Sequence, residues 1–101
     1  MFYVYIIYSE KSDLFYVGFS EDPWGRLFQH NHIEENTFTS KHRPWILKAV
    51  FLCGNTRAEA MKLEKEIKKL KSRIHIENLI KPDFIPFGSL AQLVRVPHLR
   101  N

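Results

Sequence analysis

Apolar residues at the start of the chain occur in two short runs that flank a polar segment. Residues 2–8 (FYVYIIY) and 14–19 (LFYVGF) are rich in aromatic and β-branched side chains, which favour strands. Residues 9–13 (SEKSD) between them are typical of a turn, so the two runs predict a β-hairpin. A third run, residues 44–53 (PWILKAVFLC), predicts a strand that is central in its sheet because nearly every position is apolar.

Two other segments have the spacing of amphipathic helices, and the first covers residues 22–31. Asp22 is a favourable N-cap, and Pro23 suits the first helical position because it has no backbone N–H to satisfy. The apolar stripe of this helix is predicted to consist of Trp24, Leu27 and Phe28. Arg26 and His30 are four residues apart, so they share a face that points away from the stripe.

The second helix is predicted over residues 56–80 and opens with a capping box formed by Thr56 and Glu59. Residues 71–81 either continue this helix or form a second short one. The buried stripe is predicted to contain Ala60, Leu63, Ile67, Leu70 and Ile74. Glu64 lies about 90° from the centre of that stripe, where a carboxylate is partly buried and still faces a cleft.

Together these elements predict an α+β domain over residues 1–81, in which the two helices pack on a three-stranded antiparallel sheet. Residues 82–101 are expected to form a C-terminal tail that contains a short helix or is disordered. A length of 101 residues, 45% of them hydrophobic, suits one domain with a core of its own. No apolar run approaches the ~18 residues of a membrane span, so no membrane partner is expected.

The cysteine count and the distribution of charge indicate which cellular compartment and which kinds of partner to expect. The single cysteine, Cys53, excludes an internal disulfide and the usual cysteine metal motifs, which suits a reducing cytoplasm. Excess positive charge is confined to residues 57–81, which hold eight Lys or Arg and four Glu, whereas the rest of the chain is balanced. Such a segment is typical of a nucleic-acid binder, and it is at least as typical of a solvated helix face. A Lys-rich helix that meets an acidic protein partner is a third interpretation.

Tyr5 and Tyr16 lie near the middle of the two hairpin strands. The midpoint of the hairpin falls near residue 11, so the numbers of paired residues add up to about 21 or 22. Tyr5 is then opposite or nearly opposite Tyr16, and opposed side chains share one face of a sheet. We therefore predict that the two hydroxyls meet on one side, although a slip of one residue would separate them.

Each candidate residue also has an ordinary interpretation when it is taken singly. Tyrosines in strands are common packing residues, and charged side chains on a helix are usually solvated. Glu64 is four residues from Lys68, the favourable spacing for a surface ion pair. The ordered set is more specific than any member, and it consists of Tyr5, Tyr16, Arg26, His30 and Glu64.

With this order and spacing, residues 2–80 resemble the GIY-YIG nuclease family. Residues 3–5 (YVY) stand where the family has Gly-Ile-Tyr, with Tyr3 in place of the glycine. Residues 16–18 (YVG) stand for Tyr-Ile-Gly, and Phe19 occupies a place where the family often has a lysine.

Further matches extend the resemblance along the chain. Arg26, His30 and Glu64 correspond to the arginine, the histidine and the metal-binding glutamate of the family. Residues 40–45 (SKHRPW) add to the match. The chain is most similar to small stand-alone bacterial members and to the nuclease domain of the bacterial excision-repair incision protein.

The resemblance implies a metal-dependent endonuclease that hydrolyses phosphodiester bonds of DNA. Glu64 would hold a single Mg²⁺ or Mn²⁺, and Arg26 would bind the phosphate oxygens. Tyr5 would be the general base that acts on water, with its pKa lowered by Arg26, His30 and the metal. Tyr16 and His30 would position water or tune Tyr5.

The basic residues near this set are predicted to contact nucleic acid: Lys41, Arg43, Lys68 and Lys71. Lys41 is also a candidate for the cation that Phe19 replaces. The expected substrate is branched or damaged DNA, cut with weak sequence specificity, in DNA repair or recombination. The alternative is a nucleic-acid-binding module of the same fold with little or no catalysis, which Phe19 and the absent motif glycine keep open. The oligomeric state is open as well.

Overall fold

The residues described by the computed structural model, 1–69, 73–86 and 88–97, contain one antiparallel sheet of four strands. The strands are β1 (Phe2–Ser9), β2 (Leu14–Ser20), β3 (Trp45–Gly54) and β4 (Val94–Val96). Their order across the sheet is β2-β1-β3-β4, so β2 is an edge strand and β3 lies inside, as predicted. The expected α+β class is also confirmed.

The prediction of three strands is wrong, because a short segment of the tail adds β4 to the sheet. Val94–Val96 pairs antiparallel with residues 50–52 of β3. Three residues are too few to show the alternation that marks a strand in a sequence. The tail also contains a 3₁₀ turn, Gly88–Leu90, and buries the side chains of Leu90 and Leu93 in the core. The domain boundary at residue 81 stays a prediction.

The helices are α1 (Pro23–His32), α2 (Arg57–Lys69) and α3 (Arg73–Leu79), with a 3₁₀ helix at Thr39–His42. Both predicted N-termini are confirmed. Asp22 accepts a hydrogen bond from the backbone N–H of Gly25 at 3.1 Å. Thr56 and Glu59 exchange the two hydrogen bonds of a capping box, at 3.2 and 3.3 Å.

The two faces of the sheet are covered by different helices. On one face the sheet packs against the predicted stripe of α2, of which Ala60, Leu63 and Ile67 are buried. Ile74, by contrast, is 62% exposed, so its predicted place in the stripe is wrong, and Leu70 lies outside the described residues. The other face of the sheet packs against Leu27 of α1 and holds Tyr5, Ile7, Leu47, Val50 and Trp45.

Helix α1 is rotated relative to the sequence prediction, because its polar face points toward the sheet. Trp24 and Phe28 are exposed, whereas the His30 side chain is only 1% exposed. The spacing of the apolar residues in α1 therefore did not determine which side of the helix faces the sheet. His30 has hydrogen-bond partners on the sheet and in the following loop, and such partners make burial of a polar side chain favourable.

The register of the hairpin differs from the predicted one. Paired residue numbers were expected to add up to about 21 or 22, and a sum of 21 would place Tyr5 opposite Tyr16. Tyr5 lies opposite Gly18, and Tyr16 lies opposite Ile7, so paired residue numbers add up to 23. Tyr5 and Tyr16 are therefore not directly opposed. They are diagonal neighbours on one face, because a shift of two residues keeps each side chain on its side of the sheet.

Among the described residues, no helix combines the length and apolar character that a membrane crossing requires.

Candidate active site

A cavity of about 330 Å³ opens beside β2 and brings together residues from the hairpin and from two helices. Arg26 of α1 and Glu64 of α2 both reach it, although their helices pack on opposite faces of the sheet. They meet there because β2 is the last strand on that side. The lining residues are Tyr5, Tyr16, Gly18, Phe19, Arg26, Arg57 and Glu64. Four of the five predicted catalytic residues thus line one cavity.

The phenol of Tyr5 lies directly over the backbone of Gly18. A Cβ atom at residue 18 would be 2.5 Å from the Tyr5 hydroxyl oxygen and 2.7 Å from Cζ, which is closer than real Cβ contacts. Tyr5 is buried and therefore has little room to yield. The glycine of the Tyr-Val-Gly segment is required here because it leaves space for the first tyrosine of the set.

His30, the fifth predicted residue, lies behind the cavity and contacts Tyr5. The Tyr5 hydroxyl is 2.8 Å from Nε2 of His30. On the other side of the ring, Nδ1 is 2.9 Å from Oγ1 of Thr39 and 3.1 Å from a carboxylate oxygen of Glu34. Glu34 and Thr39 were not predicted from the sequence.

These contacts determine which nitrogen of His30 holds the proton. Thr39 donates its single hydroxyl proton to Glu34 at 2.7 Å, and an ionised carboxylate only accepts. Nδ1 must therefore be the donor to both oxygens. In a neutral imidazole Nε2 is then unprotonated, so it accepts the hydrogen bond of the Tyr5 hydroxyl.

Burial and hydrogen bonding shift the pKa values of Tyr5, His30 and Glu34, which are linked by these hydrogen bonds. Burial lowers the pKa of His30 below its ordinary value, so its ring is neutral at neutral pH. Glu34 has a pKa of about 2, because hydrogen bonds from Thr39, Arg26 and His30 outweigh the opposing effect of its burial.

Without a metal ion the pKa of Tyr5 is raised, so the expected lowering by Arg26, His30 and the metal stays a prediction for the metal-bound protein. Burial is the largest effect and raises the pKa of the phenol, and the nearby Tyr16 hydroxyl acts in the same direction. Arg26 acts in the opposite direction but is outweighed. Tyr5 is therefore a neutral phenol that donates to His30.

Arg26 is held in place at the cavity by a residue of its own helix and by one of the loop that follows. Its Nη1 atom donates to a carboxylate oxygen of Glu34 and, at 2.8 Å, to the amide oxygen of Gln29. A guanidinium has five donors, so this arrangement fixes the side chain and leaves donors for a further anion.

The segment 40–45 fixes the loop that holds Glu34 and Thr39. The guanidinium of Arg43 donates to the backbone carbonyls of His30 and Glu34. The indole N–H of Trp45 donates to the carbonyl of Thr39 at 2.7 Å. Arg43 therefore has a structural role here, and its predicted contact with nucleic acid stays a prediction.

The other basic residues differ in their distance from the cavity. Lys68 is 5.7 Å from the centre of the Tyr16 ring and 3.5 Å from the Glu64 carboxylate, so the ion pair expected from their spacing is present. Lys41 is exposed on the 3₁₀ helix. Lys71 lies outside the described residues.

A comparison with known protein families matches residues 1–78 to the GIY-YIG catalytic domain. The chain belongs to the GIY-YIG family. GIY-YIG domains are in general endonucleases that depend on a divalent metal. The match is to the family as a whole and does not single out the excision-repair nuclease. A search of curated proteins found no match.

Arg57, which was not predicted from the sequence, lies beside Phe19, the residue that stands where the family often has a lysine. Its guanidinium is 5.1 Å from the centre of the Phe19 ring, and both residues line the cavity. Arg57 is seven residues before Glu64, and two helical turns place such residues on the same side of a helix. That spacing could have identified Arg57 from the sequence as a second candidate for the nearby cation, and the role of Lys41 stays a prediction.

The ionised Glu34 carboxylate is predicted to stabilise the fold. Because its pKa is lowered from 4.5 to about 2, this contribution is complete above pH 4.5 and is lost as the pH falls through 2. We expect Glu34→Gln to lower the free energy of unfolding at neutral pH by up to about 3 kcal/mol. Denaturant unfolding of both proteins from pH 7 downward would measure the difference, which should shrink below pH 4.5.

The exposed neighbour Glu35 provides the control, since Glu35→Gln should leave the stability nearly unchanged. Equal stability of Glu34→Gln and the unmodified protein at neutral pH would contradict the role of this carboxylate.

Gly18→Ala is predicted to push the Tyr5 hydroxyl away from His30. Overpacking of this kind costs about 1–3 kcal/mol of stability. Part of the cost should disappear in the double variant Gly18→Ala/Tyr5→Phe, which removes the oxygen atom closest to the new methyl group. Thermal unfolding of the two single variants and the double variant would give the coupling energy, and strict additivity would count against the close contact.

Proposed function

We propose that this protein is an endonuclease that hydrolyses phosphodiester bonds of DNA in the cavity beside β2. The observation that supports this most is the convergence of Tyr5, Arg26 and Glu64 on that cavity, with His30 bonded to Tyr5. Phosphodiester hydrolysis needs an activated water, a partner for the phosphate charge and a hard ligand for a metal ion. Each requirement has a candidate among these side chains.

The residues of the cavity fit a single Mg²⁺ or Mn²⁺ that is held mainly by Glu64. The described residues contain no group of three or more His, Cys, Asp or Glu side chains that could hold an ion. Mg²⁺ tolerates such a sparse site, since it keeps several waters and takes other ligands from a substrate phosphate. When bound, the ion would supply charge neutralisation at the phosphate and at the attacking water.

Tyr5 acts as the general base through His30. The hydroxyl oxygen of Tyr5 takes a proton from the attacking water while its own proton passes to Nε2 of His30. This relay needs no ionised phenol beforehand, which agrees with the raised pKa of Tyr5. The imidazolium that forms is stabilised by the Glu34 carboxylate on Nδ1.

Arg26 binds the scissile phosphate with the donors that Glu34 and Gln29 leave open. Tyr16 and Arg57 line the same cavity, where Tyr16 positions the water and Arg57 adds positive charge. Lys41 and Lys68 contact the flanking backbone. Such contacts attract DNA without reading its bases, so we propose weak sequence specificity and a role in DNA repair or recombination.

Glu64→Gln is predicted to reduce DNA cleavage by on the order of 100-fold or more, because the amide is a poor ligand for Mg²⁺. Nicking of a supercoiled plasmid with Mg²⁺, Mn²⁺ or a chelator would measure the effect. Glu66→Gln is the matched control, since Glu66 lies on the same helix and also pairs with a lysine, Lys69.

Full activity of Glu64→Gln would rule out the metal-binding role of this residue. Binding of DNA by the unmodified protein without cleavage in either metal would replace the nuclease proposal with the non-catalytic binding module.

Tyr5→Phe is predicted to slow cleavage by about 10²–10⁴-fold, the typical contribution of a general base, with little change in DNA affinity. Single-turnover cleavage and a separate binding assay would distinguish the two effects. Tyr3→Phe is the control, because Tyr3 packs on the same face of the sheet and contacts Trp24. If Tyr5→Phe cleaves DNA as fast as Tyr3→Phe, Tyr5 is not the general base.

A further inference from the structure

Phe38 exposes 51% of its side chain, although it lies within a cluster of aromatic rings. Its ring is stacked on Tyr16, with the ring centres 6.2 Å apart and the planes 27° apart. It also contacts His42, at a distance of 4.7 Å between ring centres. Single exposed apolar residues are common, so exposure alone indicates nothing. The position of Phe38 relative to the proposed active site is what distinguishes it.

Phe38 lies between the proposed catalytic groups and a larger groove. On one side it lines a cavity of about 200 Å³ together with Arg26, His30 and Glu34. On the other side it lines a groove of about 490 Å³ that also contains Lys68. Tyr16 lines both spaces and the cavity of Glu64 as well, so its ring borders all three.

The loop that presents Phe38 is held by hydrogen bonds on both sides of the residue. The backbone N–H of Ser40 donates to Oγ1 of Thr37 at 3.1 Å, and the N–H of Thr37 donates to Oγ of Ser40 at 3.0 Å. The Ser40 hydroxyl also donates to the Thr37 carbonyl at 2.9 Å. An aromatic ring that is held in place before binding loses little conformational entropy when a ligand stacks on it.

A cationic side chain on each side of this ring, each with a carboxylate partner of its own, favours a nucleic-acid strand as its ligand. Arg26 lies on one side, and Lys68 lies on the other. Cations that follow a phosphate backbone, with aromatic rings on which bases stack, are the usual arrangement for single-stranded nucleic acid. A base inside a duplex exposes only its edges, so a base that stacks on an aromatic side chain has to leave its own stack first.

We propose that Phe38 stacks on an unpaired DNA base next to the scissile phosphate. The proposal rests on the proposed nuclease function, because it places the phosphate at Arg26. It identifies the substrate class as DNA with at least one unpaired nucleotide beside the cut.

Binding of short fluorescent oligonucleotides in the presence of a chelator, which prevents cleavage, tests the proposal. Phe38→Leu keeps an apolar side chain but removes the aromatic face. We expect it to bind single-stranded DNA about tenfold more weakly than the unmodified protein, with little change for duplex DNA. Phe38→Trp should retain the affinity. Phe28→Leu is the matched control, since Phe28 is a phenylalanine on α1 that is 57% exposed.

Oligonucleotides with one abasic residue make the test specific for stacking. In the unmodified protein one abasic position should weaken binding by about the same factor as Phe38→Leu, and in that variant the same position should have no effect. Unchanged binding by Phe38→Leu, an equal loss for duplex and single strand, or an abasic effect that persists in the variant would each overturn the stacking site.

Plasmid nicking by the unmodified protein separates this inference from the proposed function. Nicking together with unchanged binding by Phe38→Leu would leave the nuclease and remove the stacking site. If the abasic position weakens binding in the unmodified protein but not in Phe38→Leu, and no metal supports nicking, the stacking site is retained and the nuclease proposal is rejected.

Discussion

The hydrogen bond between the Tyr5 hydroxyl and Nε2 of His30 is the interaction on which the rest of the site depends. Both side chains are buried, and a buried polar group without a partner costs about 1–3 kcal/mol. The bond therefore requires α1 to turn its polar face toward the sheet, against the orientation that its apolar residues would favour. It also requires a glycine at residue 18, because the phenol passes directly over that position.

Glu34 connects the two halves of the proposed chemistry. One of its carboxylate oxygens accepts from His30 and from Thr39, and the other accepts from Arg26. The same group thus sets the tautomer of His30 and the position of the Arg26 guanidinium, to which we assign proton acceptance and phosphate binding. A change at this residue affects both, so the stability and the geometry of the site are linked through one side chain.

Local patterns in the sequence were enough to predict the hairpin, both helix caps and the shared face of Tyr5 and Tyr16, because each depends on residues close together in the chain. The orientation of α1 depends instead on partners that the chain supplies from β1 and from the loop after the helix. Glu34 belongs to that loop, where no periodicity restricts a side chain, and β4 is too short to show a pattern. The orientation of α1, the role of Glu34 and the pairing of β4 all depend on contacts between distant segments, and local patterns in one sequence do not predict such contacts.

The substitution of Phe19 for a family lysine illustrates the same difference between sequence position and spatial position. Taken along the chain, the change removes a cation from the strand beside the second tyrosine. In the folded protein Arg57 extends from α2 over the Phe19 ring and lines the same cavity. The aromatic ring is a favourable surface for a guanidinium, so the contact with Phe19 favours this position of the arginine. A phosphate responds to the charge in the cavity and not to the element that supplies it, so the departure from the motif is compatible with a catalytic site.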